Sequence, residues 1–79
     1  MDKNTQFYVI YFQYKEQFEI DNRLFTDYLL VQKEAIRLGK LFDNSGEIVL
    51  SLTSPKRHLV FSSPTVCIYV LELTLYPKL

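Results

Sequence analysis

Residues 7–14 read FYVIYFQY, and seven of these eight side chains are apolar or aromatic. A β-strand points alternate residues to opposite faces of its sheet, so a strand of this composition needs cover on both faces. Residues 65–76, TVCIYVLELTLY, make the same demand. Thr, Val, Cys, Ile, Tyr and Val crowd the first half of that run, and β-branched and aromatic side chains favour strand over helix. Its odd positions carry Cys67, Tyr69, Leu71, Leu73 and Leu75, and its even positions carry Val66, Ile68 and Val70 before Glu72 turns polar.

Between these two runs, KEQFEIDN (15–22) reads as a polar connection in which Asp21 or Asn22 can cap a following helix. The helix is RLFTDYLLVQKEAIRLGKLF, residues 23–42. Leu24, Tyr28, Val31, Ala35, Leu38 and Phe42 recur at steps of three and four, which places them on one stripe. Phe25, Leu29 and Ile36 widen the stripe, and Thr26, Lys33, Arg37 and Lys40 fall opposite it. Asp43-Asn44-Ser45-Gly46 is a turn signal, with Gly46 suited to a positive φ. EIVLSLT (47–53) then alternates as a half-buried strand. Ser54-Pro55-Lys56 makes a tight connection to RHLVFS (57–62), so residues 47–62 form a β-hairpin.

The order is therefore β-α-β-β-β, an α+β fold in which one amphipathic helix packs on a four-stranded, mixed or mainly antiparallel sheet, all within a single domain, 1–79. A βα opening that returns to its sheet places the strand after the helix parallel to the first, or beyond it beside the last. One helix covers one face. Tyr8, Ile10, Phe12, Val66, Ile68 and Val70 are then the candidates for the uncovered face, with sides exchangeable between the two strands, enough apolar surface to call for a partner, of which the simplest is a second copy. Alternatively the N-terminal arm, or residues 15–20 with Phe18 and Ile20, folds over that face.

Composition narrows the function. With 48% hydrophobic and 23% charged residues the chain should fold, and twelve Phe and Tyr supply much of the area a 79-residue core needs. Nine basic residues balance nine acidic ones, so no overall field draws the chain to nucleic acid or an anionic membrane. One cysteine excludes an internal disulfide and suits a reducing, cytoplasmic setting. The opening MDKNTQFYVIYFQYK does not read as a signal peptide, and no apolar run approaches the roughly 18 residues of a membrane span.

Chemistry is sparsely signalled. One His and one Cys fall short of any metal pattern, and two glycines make no phosphate loop, so no cofactor is expected. His58 is the first choice for a general base, but it has no orienting acid and reads as a partly exposed residue opening a strand. Cys67 is the candidate nucleophile, yet apolar neighbours would blunt it, and it reads as structural. Glu16, Glu19 and Asp21, and Asp43 with Glu47, read as solvated loop carboxylates. Ser54-Pro55-Lys56-Arg57 also matches a proline-directed phosphorylation pattern, which any such turn does.

Tyr8, Tyr11 and Tyr14 could stack on single-stranded nucleic acid, with Lys56, Arg57 and His58 on phosphate, but the same tyrosines suit a protein interface better. The first strand, the long helix and Gly39-Lys40-Leu41 … Gly46 faintly resemble the first half of the YCII-related dimeric ferredoxin-like proteins. That likeness implies a ligand site between two protomers. The helix histidine of that family has no counterpart, and the second half of the chain is too short for its remaining elements. The sequence points to a cytoplasmic, non-enzymatic protein-binding module. It would be a homo-oligomer, or an inhibitor or subunit docking on a larger protein, of a size that suits a phage or mobile-element product. A nucleic-acid binder or a small-ligand-binding dimer stands as the alternative.

Overall fold

The computed structural model describes residues 5–54 and 56–75. In chain order the elements are β1 (Thr5–Tyr14), β2 (Gln17–Ile20), α1 (Tyr28–Phe42), β3 (Glu47–Ser54), β4 (Arg57–Ser62) and β5 (Cys67–Leu75). The five strands form one sheet in the order β2-β1-β5-β4-β3, with every neighbouring pair antiparallel, and α1 packs on β1, β5 and β4. The fold is α+β, as the sequence implies, with one strand more than expected.

The added strand is β2. Its residues Gln-Phe-Glu-Ile alternate polar and apolar, and Lys15, with a positive φ of 44°, turns the chain straight back after Tyr14. The polar connection expected at 15–22 is thus the return arm of a hairpin. Backbone bonds continue past it: the Asp21 amide donates to the Ile10 carbonyl at 2.9 Å, and Tyr8 and Phe25 exchange bonds of 2.7 and 2.9 Å. These bonds hold residues 21–25, bent at Asn22, against the edge of β1, so the helix begins at Tyr28 and not at Arg23. Asp27, not Asp21 or Asn22, is its cap: it has extended backbone and Oδ1 accepts the amides of Leu29 and Leu30. Asp21 instead accepts the Arg23 amide and side chain.

With β2 and β5 on its two edges, β1 has no place for the strand that follows the helix. Alternating directions across the sheet make β2 and β3 run the same way at opposite edges. The strand after the helix, β3, is therefore neither parallel to β1 nor beside the last strand, β5: the crossover starts from β2 and spans the three strands between.

The core lies between α1 and the sheet. Ile10, Phe12, Val66, Ile68, Val70, Val60 and Phe61 are buried against Val31 and Ala35, with Tyr8, Tyr14, Phe25, Tyr28, Ile36 and Leu38 packed around them. Among the described residues no polar side chain is buried. Phe61 explains both glycines. A β-carbon at Gly39, on the buried face of α1, would stand 2.5 Å from the Phe61 ring, and one at Gly46 would overlap that ring and lie 2.9 Å from Ser63 Cβ. Gly46 serves close approach, for neither glycine has a positive φ. Asp43 clips the same end shut: Oδ1 accepts the Ser45 amide (3.1 Å) and hydroxyl (2.6 Å), and Oδ2 accepts the Thr65 hydroxyl at 3.0 Å.

Candidate functional site

The ladder register settles which residues share a face. Tyr8, Ile10 and Phe12 stand opposite Glu72, Val70 and Ile68, and His58 and Phe61 continue that row onto β4. This is the side α1 covers. The residues expected to be uncovered therefore lie beneath the helix: Ile10, Phe12, Val66, Ile68 and Val70 are buried, and Tyr8 rests edge-on against Tyr28, ring centroids 5.5 Å apart. The parity of both central strands is exchanged relative to that expectation, because the stripe of α1 meets the even row.

The open face is carried by the odd row: Phe7, Val9, Tyr11 and Gln13 on β1, and Cys67, Tyr69, Leu71 and Leu73 on β5. Arg57, Leu59 and Ser62 follow on β4 and Glu47 on β3, while Phe18 and Ile20 add the β2 edge opposite Gln13 and Tyr11. Leu24, next to the Tyr8–Phe25 bridge, alternates to this side and with Phe7, Leu73 and Thr74 lines an open apolar dent of about 450 Å³. Phe18 and Ile20 were candidates to fold over this face, and they extend it instead. The N-terminal arm, residues 1–4, lies outside the described residues, as does Pro55 of the Ser-Pro turn.

The face is apolar and aromatic. Tyr11 lies between Phe18 (centroids 5.6 Å apart, planes 9° apart) and Tyr69 (5.5 Å), and the Arg57 guanidinium stands 5.0 Å from the centre of the Tyr69 ring. Arg57 is the one charge that β1, β5 and β4 place here. Phe18 is 60% exposed, Ile20 56%, Leu24 62% and Leu73 45%. At ~200 Å² for a large side chain, these four leave roughly 450 Å² in contact with water. The half-buried Phe7, Tyr11, Leu59, Tyr69 and Leu71 raise the apolar total to about 600 Å², the upper end for a monomer's largest patch.

The other candidates do not converge. His58 lies on the covered side, its ring 5.1 Å from Tyr28, and among the described residues no carboxylate is hydrogen-bonded to it. Cys67 is half-buried with Sγ 3.7 Å from the Ser62 hydroxyl. Glu19 accepts the Tyr14 hydroxyl at 3.0 Å; with partial burial foremost and this bond adding to it, the Tyr14 phenol is raised above its ordinary value. Burial likewise raises Tyr28. Glu34, bonded first to Arg37 and also to Arg23, is held down at about 2 against the opposing effect of burial. The Ser45 bonds, with those from Thr65 and Ser63, hold Asp43 at about 2 as well. These are ion-pair and turn contacts at separate places. Among the described residues no group of His, Cys, Asp or Glu is placed to hold a metal, and no helix is long and apolar enough to cross a membrane.

Of the three tyrosines weighed for base stacking, Tyr8 and Tyr14 face the helix side and only Tyr11 is on the open face, where Tyr69 and Phe18 join it. The residues that sequence reasoning missed as surface are Leu24, assigned to the helix stripe, and Leu73 and Tyr69, assigned to the covered row. The alternation Gln17-Phe18-Glu19-Ile20 was the available signal for β2. Comparison with known proteins finds no matching family model, no matching curated protein and no matching solved structure.

Proposed function

We propose that this chain is a non-enzymatic protein-binding module and that its working surface is the open face of the sheet. The observation that carries this reading is the continuous row Phe18, Tyr11, Tyr69 with Ile20, Leu24 and Leu73 at its ends, aromatic and aliphatic groups left in water on a rigid antiparallel sheet. Large rings with polar edges are what protein interfaces concentrate, because they bring area at little conformational cost. A single-stranded nucleic-acid platform would also use rings, but it needs several cations along the backbone track, and among the described residues the strands of this face offer Arg57, already held over Tyr69, with Lys15 at one margin beside Gln13 and Tyr69.

The test pairs a hydrophobic dye with solution mass. The expected result is that the wild type either binds 8-anilinonaphthalene sulfonate as a monomer or excludes the dye as an oligomer, and that Phe18→Lys changes whichever is seen while circular dichroism holds. A wild-type monomer that binds no dye would overturn the reading.

A further inference from the structure

Resting on that reading, we infer that the partner of the open face is a second copy of this chain, docked face to face about a two-fold axis that passes beside Tyr11 and runs across the strands. Three observations converge on this arrangement.

The first is a pair of exposed apolar side chains on one face. Phe18, opposite Gln13 in the β1–β2 ladder, is exposed at one end, and Leu24, beside Val9 at the rim of the dent it shares with Phe7 and Leu73, is exposed toward the other. Four strand positions separate them, ~14 Å along β1. Both lie on the β2 side. A two-fold axis across the strands keeps each strand over its own counterpart and reverses its direction. Level 13 of one copy then falls over level 9 of the other, so Phe18 meets the partner's Leu24 and the partner's Phe18 meets this one. An isologous interface requires this kind of reciprocal contact.

The second is charge. The same operation places Arg57, level with Val9 through Leu71, over the level of Ser62 and Cys67 in the partner, where Glu47 stands next on β3. Arg57 thus approaches the partner's Glu47, and the two Arg57 side chains stay ~14 Å apart along the strands. The charges that the strands place on the face, Arg57 and Glu47, are complementary under this rotation.

The third is area. About 600 Å² of apolar surface, with Gln13, Cys67, Arg57 and Ser62 at its margin, approaches the ~800 Å² per partner of a stable complex. Packing two sheets about 10 Å apart face to face would make a sandwich with α1 on each outer side.

The experiment measures mass by sedimentation over a concentration range for the wild type, Phe18→Lys, Leu24→Glu and the double variant Phe18→Lys/Leu24→Glu, with circular dichroism to show that each is folded. Within one chain positions 18 and 24 are too far apart to pair, so any rescue acts between copies. The expected result is a wild-type dimer, a dissociation constant raised roughly 30-fold or more in each single variant, and a double variant restored to within a few-fold of wild type. A dimer split by either single change but not restored by both would overturn the reciprocal register. A wild-type monomer that binds the dye would overturn self-pairing and leave the protein-binding reading standing; a monomer that binds no dye would overturn both.

Discussion

The two faces of the sheet are built from the same kinds of residue and end in opposite conditions. On the covered face Phe61 is buried so tightly that two glycines are needed to admit its ring. On the open face Phe18, another phenylalanine on an antiparallel strand, is 60% exposed. The difference lies in α1, whose Val31, Ala35 and Gly39 present a narrow, small-residue seam that lets the even rows of β1 and β5 close against backbone. Apolar composition is therefore no guide to burial in this chain. Cover decides most of it, although Val9 on the open row is buried among its neighbours, and one helix, about 10 Å wide, is enough for the three central strands on one side only.

Truncating the two phenylalanines should separate the faces most sharply. Phe61→Ala is expected to cost about 3–5 kcal/mol in urea unfolding, since a fully packed ring leaves a cavity, whereas Phe18→Ala should change the stability of a single protomer by less than about 0.5 kcal/mol. Equal losses at the two sites would break the contrast. Gly39→Ala refines the same point: helix propensity alone favours Ala by ~1 kcal/mol, but the clash with Phe61 should reverse the sign and destabilise by about 1–3 kcal/mol.

A smaller effect is expected at the helix start. Asp27→Ala removes the acceptor of the Leu29 and Leu30 amides and should cost ~1 kcal/mol, loosening the cover without touching the sheet. Hydrogen exchange should then rise first in the amides of α1's first turns; a uniform rise across β1 and β5 would show that the cover and sheet open as one unit.

The weakest lever is acid. Asp43 and Glu34, both held at about 2 against ordinary values of 3.8 and 4.5, bind protons less readily when folded than when unfolded. Their stabilisation is complete above about pH 4.5 and is lost as pH falls through 2. Both lie on the covered side of the molecule or at its end, so acid should lower the unfolding midpoint over that window, and Asp43→Asn should flatten part of the fall. Stability that instead rose between pH 4.5 and 2 would remove both contacts from the account.

Much of this was readable from residues 5–75. The period-3.6 stripe centred on Val31, Ala35 and Leu38 announces α1, the alternation of residues 47–62 announces a hairpin, and the doubly apolar runs 7–14 and 65–76 announce central strands in need of two covers. Propensity and period are local, so sequence by itself determined them, along with the conclusion that one helix leaves a face open. Which face was not local. Strand parity is symmetric until a helix chooses a row, and that choice is visible only in the fold, where Gly39 and Gly46 meet Phe61. Nor could local signals separate β2 from a loop or begin α1 at Tyr28, because the Asp21–Ile10 and Tyr8–Phe25 backbone bonds that hold residues 21–25 at the sheet edge come from β1, more than ten residues earlier. Tertiary structure alone made Phe18, Ile20 and Leu24 surface and made Tyr8, Ile10 and Phe12 core, since burial is a property of what lies opposite a side chain and not of the side chain itself.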